Sequence, residues 1–290
     1  MRPHSALGCP YCQATLNASG ISSTPWQCCE CGQRFAVDGQ IPVLLRRQDV
    51  TRFAEFSRQY REARLREGWQ PLTLEQALAL PEGSPAGYPV LYWQVRRQSY
   101  CALMDILARE GPSPADGPVA DLGAGNGWLG YRLAKAGYHT LAVDASLDDD
   151  WGLGMAERWY LPRVPLRLVQ GNLEYPPLQA GQLSLIVFNA SLHYALDLGH
   201  TLRRTARALQ PRGRIIILDT PVARQPRSGT GRGDRHLGRE ELHQALSGAG
   251  LSPRWVVIGR GARWWSYQAK AWLRRAPRFA FPLIIADPVP

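Results

Sequence analysis

A chain of 290 residues with 45% apolar composition can bury one large core and carry a small appendage, which sets aside a disordered chain or a minimal stapled scaffold. No apolar run reaches the roughly eighteen residues of a membrane span, and the start MRPHSALGCPYC lacks the long apolar segment of a signal peptide, so a cytoplasmic chain is expected. The net charge of +10 is almost all arginine, since Lys135 and Lys270 are the only lysines, and it favours anionic partners: nucleic acid, a membrane surface or an acidic metabolite.

Cys9-Pro-Tyr-Cys12 and Cys28-Cys-Glu-Cys31 form two C-x-x-C pairs with fifteen residues between them, the spacing of a zinc ribbon rather than of a disulfide framework. Gly32 follows Cys31 and can take the positive φ of a metal knuckle, which selects Cys28 and Cys31 and leaves Cys29 as a bystander. Reduced cysteines in a small core are the competing reading. Four thiolates fill a tetrahedron and leave no open position, so the zinc is expected to be structural. A module of this size buries too little apolar area alone, and zinc supplies roughly 10–16 kcal/mol to such modules. Phe35 to Leu45 reads as the closing strand and exit, and Cys101 as a core residue.

Asp49 to Trp69 has apolar residues at helical spacing among arginines. Leu80 to Pro89 is a Pro/Gly-rich linker or hinge, and Trp93 to Glu110 a second helix. From there strands and helices alternate. PVADLGAG, YHTLAVDAS, PLRLVQGN, LSLIVFNA and GRIIILDTP read as strands. Trp128 to Ala136, Trp151 to Tyr160 and Leu198 to Leu209 read as helices. Near-continuous apolar strands separated by helices predict an α/β fold, a parallel sheet covered on both faces. Arg224 to Arg239 is a Gly/Arg loop that would cover the substrate or remain solvated. Glu240 to Ala249 is a short helix, and PRWVVIG and FAFPLII are closing strands.

Asp121 to Ser146 carries the chemistry. A strand ends in Gly123, Gly125 and Gly127 and runs into a helix, so a ligand can approach bare backbone at a helix N-terminus. Asp144 ends the next strand, 23 residues after Asp121, where a carboxylate can accept from both hydroxyls of a ribose. Gly125-x-Gly127-x-x-Gly130 also matches the dinucleotide fingerprint of an NAD(P)-binding oxidoreductase. The register counts against it: the first glycine after the strand is Gly123, which puts Trp128 in the third fingerprint position.

DLGAGNG, AVDAS, GNLEYPPL, FNASLHYALD and LQPRGRIIILDTP, in this order from about Ala115 to the C-terminus, resemble the successive motifs of class I S-adenosylmethionine-dependent methyltransferases. The cysteine pairs with DGQIPVLL resemble a Trm112-like zinc ribbon, an arrangement similar to bacterial large-subunit rRNA guanine methyltransferases. The resemblance implies a Rossmann-like, seven-stranded, mostly parallel sheet with a final antiparallel strand. It divides the chain into a ribbon (1–47), a helical cap and linker (48–114) and a methyltransferase domain (115–290). It also implies S-adenosylmethionine as cofactor. Asp121, Gly123, Gly125 and Gly127 would lie at its methionine end, Asp144 at the ribose, Asn172 at the adenine amino group and Asn189 beside the sulfonium.

His193, just past the fourth strand, is the candidate general base, with a pocket-shaping role as the alternative. FNAS is not the Asn-Pro-Pro-aromatic tetrad of exocyclic-amine methylation, and no Pro-Cys nucleophile for pyrimidine C5 is present. A small-molecule acceptor is the leading expectation. Methylation of a guanine ring nitrogen in rRNA is the alternative, and a non-catalytic scaffold a further one. The stretch Arg260 to Phe281 mixes Trp264, Trp265 and Trp272 with cations. It would stack bases and contact phosphates, attach to a membrane interface, or bury its tryptophans in a helix.

Overall fold

Seven strands form the central sheet of the computed structural model, which describes residues 6–17, 25–83, 85, 88, 90–223, 237–273 and 279–289. They are β1 (Val119–Leu122), β2 (Thr140–Asp144), β3 (Leu166–Gln170), β4 (Leu183–Asn189), β5 (Leu209–Leu218), β6 (Leu251–Val256) and β7 (Leu283–Pro288). The spatial order is β6-β7-β5-β4-β1-β2-β3. Strand β7 runs antiparallel to both neighbours, and every other pairing is parallel. The alternating pattern predicts the α/β fold and its parallel strands, and the Rossmann-like, seven-stranded, mostly parallel sheet is the one the family resemblance implies.

Side chains on successive strand residues point to opposite faces, and here each face has its own core. Leu122, Ile186, Phe188, Ile215, Ile217 and Ile284 pack on one face. Val119, Leu185, Val187, Ile216, Leu218 and Ile285 pack on the other. Burial on both faces explains why β1 and β4 carry no exposed residue.

Among the described residues eight α-helices flank the sheet: α1 (Val50–Arg66), α2 (Leu74–Ala79), α3 (Val90–Glu110), α4 (Trp128–Lys135), α5 (Leu153–Trp159), α6 (Leu198–Ala208), α7 (Arg239–Ser247) and α8 (Gly261–Leu273). Helix α6 shows why the local sequence folds this way. Asp197 caps it by accepting from the His200 N–H at 2.8 Å, and Leu198, Thr201, Leu202, Thr205 and Ala208 form its buried stripe.

The N-terminal cysteine-bearing segment, expected as a ribbon, shares the first core: Leu7, Trp26, Phe35 and Leu44 pack in it with the sheet. Its exit strand extends the sheet beyond β3, with Val43 bridging Gln170 in parallel and the Leu44 N–H donating to the Gln170 carbonyl at 2.8 Å. The cap lies over the opposite face, where Trp69, Leu72, Leu80 and Trp93 join Leu129 and Leu153.

Four details differ from the sequence reading. Helix α2 was not anticipated, although Thr73 and Gln76 form a reciprocal capping box. The stretch from Leu80 to Pro89 lies partly outside the described residues; Leu80 is fully buried and the Tyr88 ring centroid lies 4.4 Å from that of Trp69, so these two anchor the cap. Cys101, expected in the core, is exposed. FAFPLII does not form one strand, because Pro282 lacks an N–H. Phe279 and Ala280 pair instead with Val222 and Ala223, and β7 starts at Leu283. The expected loop from Arg224 falls outside the described residues up to 236.

Candidate cofactor and acceptor cavity

The turn between β1 and α4 is built from backbone. Gly123, Gly125 and Gly127 have φ of 72°, 54° and 77°, the left-handed region that L side chains avoid. At Gly123 the space is closed as well, since a Cβ there would lie 2.4 Å from the Ser191 Cβ. Gly125 is the open one: its nearest neighbour would be the Trp151 carbonyl oxygen at 3.7 Å. Trp128 opens α4 and lines the cavity, while Gly130 packs close to the sheet, where a Cβ would meet the Ala142 Cβ at 3.2 Å.

Asp144 clamps this turn to the tip of β2. Its Oδ2 accepts from the Gly125 N–H at 2.7 Å and its Oδ1 from the Ser146 N–H at 2.8 Å. Burial raises its pKa, and these backbone donors oppose the rise. Asp121 is fully buried beneath the turn. Its Oδ2 accepts from the Gly130 N–H at 3.1 Å and its Oδ1 has no hydrogen-bond partner. Burial, with the nearby Asp144 charge adding to it, pushes Asp121 up to about 7.

Asn172 follows β3. Its Oδ1 accepts from the Tyr175 N–H at 2.7 Å and its amide donates to Asp49 at 3.1 Å. Asp49 is itself buried and paired with Arg46 at 2.8 Å and Arg52 at 3.0 Å. Asn189 ends β4, and the next residue, Ala190, has φ of 53°; Asp219, at the tip of β5, has φ of 51°. Non-glycine residues in this region concentrate at ligand sites.

A cavity of about 780 Å³ opens from this turn and joins all seven expected cofactor residues except Gly127, which stands behind it as the cap of α4. His193 also lines it, its ring tilted 37° to that of Tyr194 with centroids 4.3 Å apart. The cavity continues under the cap, where Phe56, Tyr60, Trp69, Tyr92 and Trp93 form an aromatic wall around Arg64 and Arg96. Arg61 holds α1 over this end through Asp148 and Asp150, each at 2.9 Å. Trp264 is buried against Phe281, with centroids 5.4 Å apart, and lines the same space, whereas Trp265 is exposed. The inward-packing reading of this stretch therefore holds for Trp264. Arg263 and Trp272 side chains, and residues 274–278, fall outside the described set.

Away from the cavity, Cys9, Cys12, Cys28 and Cys31 bring their sulfurs within 4.8 Å of one another, and Cys29 is outside the cluster. The closest approaches are Cys9 to Cys31 at 3.6 Å and Cys12 to Cys28 at 3.5 Å. The Cys31 N–H points at the Cys28 sulfur at 3.5 Å. Burial opposes ionisation of Cys28, but backbone donors from Cys31 and Glu30 and the neighbouring thiols bring it down to about 7. Burial raises Cys9 and Cys12.

Residues 120–217 match the family model described as a methyltransferase domain, about a third of the chain. No curated protein matches the chain significantly. Among solved structures, geranyl diphosphate C-methyltransferase from Streptomyces coelicolor A3(2), bound to Mg2+, geranyl diphosphate and S-adenosyl-L-homocysteine, superposes with TM-score 0.55 and 19% identity, over 82% of this chain and 97% of that one. Its complex with geranyl-S-thiolodiphosphate gives 0.53 and 21%, over 71% and 83%. A geranyl diphosphate methyltransferase in complex with SAM gives 0.52 and 20%, over 71% and 93%. What these structures share with the chain is the fold: a seven-stranded sheet of the class I methyltransferase type. Among the described residues no helix is long and apolar enough to cross a membrane.

Sequence reasoning missed Asp49, Arg96, Ser99 and Asp219. The signal for Asp219 was available, since an acidic residue at the C-terminal tip of a buried parallel strand faces the ligand crevice in such sheets. Arg96 carried none, because one arginine in an arginine-rich helix reads as a solvated face.

Proposed function

We propose that the protein is an S-adenosylmethionine-dependent methyltransferase acting on a small-molecule acceptor. The observation that carries this reading is the continuous cavity from the glycine turn to the aromatic wall. Its volume of about 780 Å³ lies within the roughly 300–1,000 Å³ usual for small-ligand sites, and α1 and α3 roof it.

The bound cofactor would supply an electrophilic methyl group on a sulfonium. Gly123, Gly125 and Gly127 with Asp121 would hold the methionine end, and Asn189 would lie beside the sulfur. The second lone pairs of the Asp144 oxygens remain for ribose hydroxyls, and the second lone pair of Asn172 Oδ1 for the adenine amino group. The wall under the cap fixes the acceptor in line, an effect worth roughly 7–11 kcal/mol when both partners are held. If the acceptor atom carries a proton, His193 is the base in reach of the cavity.

The four cysteine sulfurs suit a structural zinc in a Trm112-like ribbon, because a closed thiolate set leaves no coordination position for chemistry. A reduced thiolate site of this kind belongs in the cytoplasm. The test is incubation of the chain with methyl-labelled cofactor and a cell extract split into RNA, protein and small-molecule fractions. Label in the small-molecule fraction is expected. Label in rRNA would replace this acceptor class with a guanine ring nitrogen, and failure to bind either S-adenosylmethionine or S-adenosylhomocysteine would remove the methyltransferase reading.

A further inference from the structure

The amide of Asn172 stands between two partners that can each play only one part. The Tyr175 backbone N–H only donates, and it reaches Asn172 Oδ1 at 2.7 Å. The Asp49 carboxylate only accepts, and its Oδ2 takes the Asn172 amide at 3.1 Å. Turning the amide over would set oxygen against carboxylate and N–H against N–H at once. Asp49 is in turn held by Arg46 on Oδ2 at 2.8 Å and by Arg52 on Oδ1 at 3.0 Å, which fixes its oxygens from both sides. Arg46 also lies over the Tyr175 ring, 3.2 Å from its centroid, and ties the second partner of Asn172 into the same bracket. Asn172 and Asp49 are both buried, so solvent does not make up for a lost partner. Asn172 lines the cavity, whereas Asp49 stands behind it in the turn Arg47–Asp49 that leads into α1, outside the matched residues 120–217.

We propose that Asp49 is a positioning residue for base selection: it locks the Asn172 amide so that the free lone pair of Oδ1 accepts from a purine 6-amino group and turns away a 6-oxo group. The assignment rests on the reading of Asn172 as the adenine contact of an S-adenosyl cofactor. A 6-amino purine donates at the atom where a 6-oxo purine accepts, so the second would bring lone pair against lone pair. A buried site shaped for one hydrogen bond rejects the analogue that cannot make it, because its own acceptor is then left without a donor. Asp49 acts only through Asn172, by removing the alternative orientation in which an N–H would take the place of Oδ1.

The test titrates the full chain, by calorimetry, with S-adenosylhomocysteine and with S-inosylhomocysteine, its 6-oxo counterpart. The unmutated chain should bind the adenosyl compound about tenfold more tightly or better. Asp49→Asn keeps the shape but offers a donor as well as an acceptor, so the preference should fall to within about threefold. Asn172→Asp sets two carboxylates face to face and should weaken S-adenosylhomocysteine by about tenfold or more. Adding Asp49→Asn to Asn172→Asp puts an amide donor opposite the new carboxylate, and the exchanged pair should return affinity and preference to within about threefold of the unmutated chain. A residue that only packs gives no such reciprocity. Binding of S-adenosylhomocysteine with no preference over the inosyl compound, a preference unchanged in Asp49→Asn, or an exchanged pair no better than Asn172→Asp overturns the proposal and leaves the methyl-transfer reading in place. Failure of the unmutated chain to bind S-adenosylhomocysteine removes that reading, and this assignment with it. The comparison on the unmutated chain stands whether or not a variant folds.

Discussion

The two ends of the cavity are made differently. At the glycine turn the surface is main chain, drawn from one contiguous segment, and its polar atoms are tied locally: Gly123 N–H to the Val143 carbonyl, Gly125 N–H to Asp144, Gly130 N–H to Asp121. Under the cap the surface is side chain, gathered from α1, α3, α8 and the approach to β7, and joined by ring contacts such as Trp93 to Trp128 at 5.9 Å. Backbone geometry cannot be repacked around an added methyl group, whereas aromatic walls adjust to volume-conserving changes. On the proposed reading, the first end would therefore define a cofactor, and the second could define an acceptor without disturbing it.

The largest expected effect tests how far the cofactor end depends on the ribbon. The ribbon exit pairs with β3, and Asp49, four residues beyond Leu45, holds Asn172. Cys28→Ser should take metal content from one ion per chain to none and lower the melting temperature, because structural zinc supplies roughly 10–16 kcal/mol to modules of this kind. Cys29→Ser should keep the metal. Elemental analysis of both variants decides it, and equal metal loss in the two would refute the choice of ligands.

Next in size is a contrast within the turn itself. Gly123→Ala combines a left-handed φ with a Cβ 2.4 Å from Ser191, so it should lower both melting temperature and S-adenosylhomocysteine affinity, the strain alone costing about 1–3 kcal/mol. Gly125→Ala has room on the protein side and should lose affinity with a smaller change in melting temperature. Equal effects on both quantities would show that the turn is a packing device and not a cradle. Asp144→Ala should weaken the cofactor by about 2–3 kcal/mol, roughly 30- to 150-fold. Asp144→Asn, which keeps one acceptor for a backbone N–H, should lose less. A calorimetric dissociation constant unchanged in Asp144→Ala would remove the ribose assignment.

The same contrast explains what could be read from the sequence. Strand positions follow from unbroken apolar runs, and the turn and the cysteine cluster are local spacings, so these were legible; the seven-strand count and the antiparallel last strand rested on the family resemblance. The aromatic end was not, because no local pattern says that Phe56, Tyr92 and Phe281 face one space. Trp264 and Trp265 are adjacent and chemically identical, yet one is buried and the other 66% exposed. Nothing in the sequence singles out Asp49, which opens a helical segment with Arg46 and Arg52 three residues either side; burial turns that spacing into a bracket for Asn172. Only the tertiary fold carries such information.

The smallest expected effect is electrostatic and tests Asp121 at the methionine end. An ordinary aspartate ionises near 3.8, and burial holds Asp121 up to about 7 in the folded chain. Between those values the folded chain keeps a proton that the unfolded chain has released, so this group lowers stability as pH rises from about 4 to 7. Asp144 and Asp219, both raised by burial, act in the same direction. A ligand cation at the methionine end, beside Asp121 Oδ1, would favour the ionised form, and binding it would become easier as the proton leaves. S-Adenosylmethionine and S-adenosylhomocysteine share the ammonium of that end, so each should bind about fivefold more tightly at pH 8 than at pH 6, near 1 kcal/mol. Asp121→Asn should flatten both curves. Curves left unchanged by Asp121→Asn would detach Asp121 from the methionine end.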